Sequence, residues 1–303
     1  MNVAWLDWSN PVAIWWGTLL AVSAVNVAVL LGLCLRFRDA LFAKDTGGAI
    51  LVVEPLLLLA AAYVLGCAFR SVLPRADVQR ICLFDTWLSS VMVGRSVATV
   101  AELAFAAQWA IVLYALGKIA HSDIAKTIAK AILPLIVLAE ICSWYAVITT
   151  DFLGNVLENS AWTVTFLLIG VALSRLVIRF HGAVQFAIAA AAAGIAGYVA
   201  FMASVDVPMY FGRWQADVAT GRDYLGLIAG LHDLASRWVV THDIAQWRDE
   251  IAWMTLYFST AVWTSLALVG FALVKQVLPR YRVRVPLIRA TRRPVAVPVR
   301  SSR

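Results

Sequence analysis

One guanidinium and three carboxylates interrupt the longest apolar runs of the chain: Arg95, Glu54, Glu102 and Glu140. A charged side chain inside a run of that kind costs about 2.5–3.5 kcal/mol on insertion scales, so each should face protein, a water-filled cavity or a ligand. Arg95 and Glu102 stand two helical turns apart and share a face, with Thr99 between them. Glu102 and Glu140, once desolvated, are candidate general acid–base catalysts. Arg95 is a candidate binder of an anionic or carboxylate-bearing group. Just past Glu140 stand Asp151, Asn155, Glu158 and Asn159. Asp151, Asn155 and Glu158 would complete a ligand pocket with Arg95. A different reading places Glu102 outermost, Glu140 central and Glu54 innermost, as a staircase for a proton or cation. The same residues would also serve as plain helix–helix clamps, with Arg95 snorkelling outward.

Other reactive side chains form weaker patterns. His232-Asp233 and His242-Asp243 repeat a dipeptide of possible zinc ligands, with Glu250 or Asp206 to complete a set, yet their spacing follows no known zinc pattern. No metal and no cofactor is therefore expected. Cys67 and Cys82 flank the segment FRSVLPRADVQR and would bridge in an oxidising compartment. Cys142 lies on a different helix face from Glu140, and Cys34 is a packing residue. There is no P-loop, nucleophile elbow or His-Glu-x-x-His. The last apolar run has no lysine before Lys275, which argues against a retinal Schiff base.

The elements that must position these residues are transmembrane helices. Of 303 residues 62% are hydrophobic and 14% charged, against about half and a quarter in soluble domains. Seven runs approach the ~20 residues that cross a bilayer: 12–35, 49–69, 97–117, 131–150, 160–178, 183–203 and 252–274. The expected fold is an all-α, polytopic integral membrane helix bundle spanning 1–274, followed by a basic, disordered cytoplasmic tail at 275–303. Arg36, Arg38 and Lys44, then Lys118, Lys126 and Lys130, then Arg175 and Arg179, and finally the tail all fall on one side of seven spans. Short basic loops stay in the cytoplasm, so the chain should run N-out, C-in. The same placement assigns the net charge of +7 to a membrane face and excludes nucleic acid as a partner. Most tryptophans fall in outer loops or at outer span ends, as in an aromatic belt.

Three segments depart from this plan. Arg70, Arg75 and Arg80 sit on the side that should be poor in charge. Residues 81–117 are apolar for longer than one crossing, so 84–96 is expected to be a helical extension or an interfacial segment. Residues 204–251 form one large outer loop. Within it Leu227, Leu231, Leu234 and Trp238 mark an amphipathic helix that would lie on the membrane or cap the bundle.

These observations favour an enzyme or binding protein for a lipid or amphipathic metabolite, its outward-facing pocket beneath the 204–251 loop. A proton- or cation-coupled transporter and a non-catalytic subunit or sensor of a membrane complex are the alternatives. Membrane lipids and an amphipathic small molecule are the expected partners, and a bacterial inner membrane the expected location.

Overall fold

The computed structural model describes residues 5–7, 9–42 and 50–277. Lys44 and residues 278–303, which hold most of the basic tail, lie outside the described residues. Among the described residues seven helices are long and apolar enough to cross a membrane, which makes the chain an all-α, multi-pass bundle. The first five are α1 (Pro11–Phe42), α2 (Ile50–Val72), α3 (Val91–Ile119), α4 (Asp123–Thr149) and α5 (Phe152–Val177). The sixth crossing joins α6 (Gly182–Phe201) through a π-helical turn, Met202–Asp206, to α7 (Val207–Thr220). A short helix α8 (Leu227–Ser236) intervenes. The seventh joins α9 (Ile244–Leu256) through a second π-helical turn, Tyr257–Ala261, to α10 (Val262–Val277).

The helices overrun the apolar runs that announce them. At ~1.5 Å per residue, the 29 residues of α3 extend ~43 Å, beyond a ~30 Å hydrocarbon core. α4 begins at Asp123, capped by the Ser122 side chain, rather than at 131. α5 begins at Phe152 rather than at 160, because Thr150 turns left-handed (φ 62°) and the Asp151 carboxylate caps the Leu153 N–H at 2.9 Å. What hydropathy assigns to an outer hairpin is thus the first two turns of a helix, and Asn155, Glu158 and Asn159 are buried in it. The large loop contracts in the same way, to residues 221–243 between two continuing helices.

One end of the bundle carries a cap. Strands β1 (Arg75–Ala76) and β2 (Ile81–Cys82) form an antiparallel hairpin, and β3 (Val239–Val240) joins β2 in parallel. A 3-10 turn at Trp87–Ser89 leads into α3, so 84–96 is not one continuous helical extension. α8 packs into the cap through Gly230 and Leu234, both buried, while Leu227 and Leu231, on the same stripe as Leu234, stay exposed beside Ile228. The apolar stripe of the helix is therefore only partly covered by the bundle.

Arg75 and Arg80 are cap anchors, and Arg70, in the last turn of α2, is buried as well; none is a surface charge. Arg80, 1% exposed, donates from Nε to Asp233 Oδ2 (2.8 Å), from Nη1 to Asp77 O (2.6 Å) and from Nη2 to Val147 O (2.6 Å). Arg75 donates to Asp77 Oδ1 (3.0 Å), to Val91 O (2.9 Å) and to Ser90 O. Gly94 faces the Arg75 guanidinium so closely that any Cβ there would collide with it. Burial draws the Arg75 guanidinium down to about 10, so it stays charged at neutral pH. Burial pushes the Asp77 carboxyl up, but Arg75, Arg70, Arg95 and Arg80 together carry it below the usual carboxylate value.

α3 runs through the middle of the bundle and packs against α2, α4 and α10. Small residues set the closest approaches. A Cβ on Gly154 of α5 would stand 2.6 Å from Cys142 O and 2.7 Å from Ala146 Cβ on α4. Where lipid is as apolar as the helix surface, such contacts supply much of the association energy. The aromatic belt is only partly a belt: Trp247 is fully buried and donates to Thr241 O, and Trp15 donates to Thr255 Oγ1.

Candidate functional site

α3, α4 and α5 each carry one carboxylate to the same guanidinium. Arg95 Nη2 donates to Glu102 Oε2 and Glu140 Oε2, each at 2.8 Å, and Nη1 lies 3.5 Å from Glu158 Oε1. All four residues are buried. The i, i+7 spacing of Arg95 and Glu102 lets one α3 face present both, and Thr99 on that face donates to Glu140 Oε2 at 2.6 Å. Trp144 Nε1 donates to Thr99 Oγ1 (3.1 Å), Tyr257 OH to Glu102 Oε1 (3.0 Å) and Asn155 Nδ2 to Glu158 Oε2 (3.2 Å). The π-helical turn that begins at Tyr257 sits where that hydroxyl reaches Glu102, in line with the frequent occurrence of π-bulges at polar sites.

A half-enclosed polar chamber of about 50 Å3 opens between this cluster and the cap. Its walls include Arg70, Arg95, Ser143, Asn155, Glu158 and Glu250, with the hairpin residues 75–79 above them. Four of those residues present a buried polar atom with no hydrogen-bond partner among the described residues: Arg70 Nη1, Arg95 Nε, Ser143 Oγ and Asn155 Oδ1. Buried polar groups are nearly always satisfied, so several such atoms converging on one void mark a place for water or a ligand. The volume suits a few waters or one small polar head group.

No known protein family, curated protein or solved structure matches this chain.

The residues singled out by sequence separate into three groups. Arg95, Asn155 and Glu158 line the chamber. Glu102 and Glu140 lie behind Arg95, off the chamber wall, and at one level rather than staggered. Asp151 and Glu54 do not join them. Asp151 caps α5 and accepts from Tyr145 OH at 3.0 Å. Glu54 is exposed at the opposite end of α2 from Arg70, ~24 Å along the axis. Asp85, at the foot of the cap, accepts from Trp238 Nε1 and takes no part in the cluster.

Among the described residues no group of three or more His, Cys, Asp or Glu is placed to hold a metal. His242 stacks on Trp5 (4.3 Å) and lies 2.9 Å from Leu83 O, while His232 is exposed beside Ser236. Cys67 and Cys82 are both free, and Cys82 Sγ donates to Phe84 O.

Ser143 and Tyr257 are site residues that sequence reading passed over. Ser143 had a signal, since it stands one turn from Glu140 on the same face of α4. Arg70 and Glu250 stood out only as an unexpected charge and a possible zinc ligand, not as members of this site.

Proposed function

We propose that this multi-pass membrane protein receives the polar end of a lipid or amphipathic metabolite in the chamber beneath the hairpin cap. In this reading Glu158 exchanges a proton with the bound group, and Arg95 and Arg70 orient it. The observation that carries the reading is that four of the residues walling one half-open void inside an apolar bundle each carry a buried polar atom without a partner. Glu158 is the carboxylate of the Arg95 cluster that reaches the chamber, so the acid–base role expected of Glu102 and Glu140 moves to it. Those two become positioning residues that fix the guanidinium plane, a geometry that a lysine ammonium would not reproduce. The basic loops favour an N-out, C-in topology, with the chamber on the outer side of an inner membrane.

Two facts weaken the ion-coupled alternative: Glu54 stands far from the cluster, and Glu102 and Glu140 share one nitrogen instead of forming successive steps. The test is native mass spectrometry of the full chain released from nanodiscs. Wild type should retain an amphipathic molecule that Glu158→Gln and Arg70→Met lose while keeping a cooperative thermal transition. Equal retention by the variants would remove the chamber from function. Absent retention, combined with pH-driven flux that Glu140→Gln abolishes, would establish the transporter instead.

A further inference from the structure

The hydrogen-bonding valences left open in the chamber specify more than polarity. Arg75 faces the void, but its nitrogens are committed to Asp77, Ser90 O and Val91 O. Arg95 has given both Nη atoms to Glu102, Glu140 and Glu158. Among the described residues that line the chamber, the cationic donors still open are therefore Arg70 Nη1 and Arg95 Nε. Against them stand acceptors: Asn155 Oδ1, without a partner, and the carboxylates of Glu158 and Glu250 in the same wall. Ser143 Oγ serves either role.

Charge count narrows the ligand further. The chamber wall holds Arg70, Arg75 and Arg95 against Asp77, Glu158 and Glu250, three formal charges of each sign. A bare anion, such as a phosphate dianion, would upset that balance inside a low-dielectric site. A bare cation would leave the two arginine donors buried and unmet, at the full desolvation cost of each. A ligand bearing both signs satisfies both walls.

We infer that the chamber takes a zwitterionic head group, its oxyanion on Arg70 Nη1 and Arg95 Nε and its protonated amine donating to Asn155 Oδ1 and to Glu158 or Glu250. The inference rests on the chamber's being a ligand site, as proposed above. The same head chemistry occurs on an aminophospholipid and on a free phosphoamine, and the test separates these sources.

Binding to the purified full chain in nanodiscs is measured for lysophosphatidylethanolamine, lysophosphatidylcholine, lysophosphatidic acid and free phosphoethanolamine. The ethanolamine lipid should bind about tenfold or more tightly than the choline lipid, whose quaternary nitrogen has no N–H to donate, and than the phosphatidic lipid, which has no amine. Competition by free phosphoethanolamine would point to a soluble ligand, and its failure to compete to a lipid-borne one; both keep the zwitterion. Choline or phosphatidic lipid binding within threefold of the ethanolamine lipid would overturn the inference. If that binding still falls in Arg70→Met, the chamber remains a ligand site and the zwitterion alone fails. If no probe binds, the zwitterion fails, and with no co-purified amphipath the proposed function fails with it. Head-group selectivity is read on wild type, so a variant that does not fold leaves the test intact.

Discussion

Arg95 Nη2 sits 2.8 Å from Glu102 Oε2 and 2.8 Å from Glu140 Oε2, so a single nitrogen ties α3 to α4 at the core of the bundle. Removing it strands three buried carboxyl groups. Arg95→Ala should cost about 3–5 kcal/mol, the usual penalty for breaking a buried ion pair from one side. Arg95→Lys should rescue little, because an ammonium lacks the planar fork that serves several acceptors at once. Glu140→Gln removes a charge yet keeps an acceptor for Thr99 and Arg95, so it should be the mildest of the three. Thermal unfolding in detergent, followed by tryptophan fluorescence, gives the order.

Ser143 separates binding from folding. Its Oγ is buried without a well-formed hydrogen bond among the described residues, and the neighbouring Glu158 keeps Asn155 and Arg95, so Ser143→Ala strands no protein group. Stability should stay within about 0.5 kcal/mol of wild type. Retention of the native amphipath, or of the ethanolamine lipid, should fall about threefold to tenfold, as expected for one hydrogen bond of ~1 kcal/mol. Unchanged retention would show that the bound molecule does not use this wall.

Gly154 tests the seam between α4 and α5. Gly154→Ala puts a methyl 2.6 Å from Cys142 O, and the helices must part to admit it, at a cost of about 1–3 kcal/mol. Gly32 on α1 has nothing within 4 Å of its built Cβ. Gly32→Ala should therefore be neutral or stabilising by up to about 1 kcal/mol. Paired melting curves of the two variants provide the measurement.

Arg80 ties two pieces of the cap, α8 through Asp233 and the hairpin through Asp77 O, to α4 through Val147 O. Arg80→Ala should loosen residues 75–90 and α8 and leave the transmembrane helices in place. Hydrogen–deuterium exchange should rise about tenfold or more in those two segments and stay unchanged in the middle of α3 and α4.

Acid should release the same cap. Arg75, with Arg70, Arg95 and Arg80, holds the Asp77 carboxyl below the usual carboxylate value despite its burial. At Asp233, burial likewise pushes the carboxyl up, and Arg237 and Arg80 carry it below that value. A carboxyl depressed in the folded state contributes stability that is complete above its unfolded value, about 4. That stability is lost as pH falls through the folded value. Hydrogen–deuterium exchange of residues 75–82 and α8, corrected for the intrinsic rate, should hold steady from pH 7 to 5 and then rise below about pH 4. Asp77→Asn should start higher and show a shallower rise over the acid range.

Much of the site was legible residue by residue but not as an assembly. Arg95, Glu102 and Glu140 stood out because charges in apolar runs need partners, and all three meet. Their arrangement did not follow from depth: a helix-by-helix reading staggers Glu102, Glu140 and Glu54, whereas packing brings the first two to one nitrogen and leaves Glu54 exposed. Hydropathy also marked where helices are greasy, not where they end. Asn155 and Glu158 therefore read as loop residues, when Thr150 and the Asp151 cap had already begun α5 before them.

The sequence by itself determined the solvent, the seven crossings and the charged residues that had to find partners, because the cost of polar groups in hydrocarbon is local and acts on each helix alone. Only the tertiary structure decided that Arg70, Arg75 and Arg80 are buried, that Glu158 and not Glu140 faces the chamber, and that Cys67 and Cys82 stay apart. Those outcomes depend on which helix faces meet and how closely glycines let them approach. That geometry belongs to pairs of distant segments and to no single one of them.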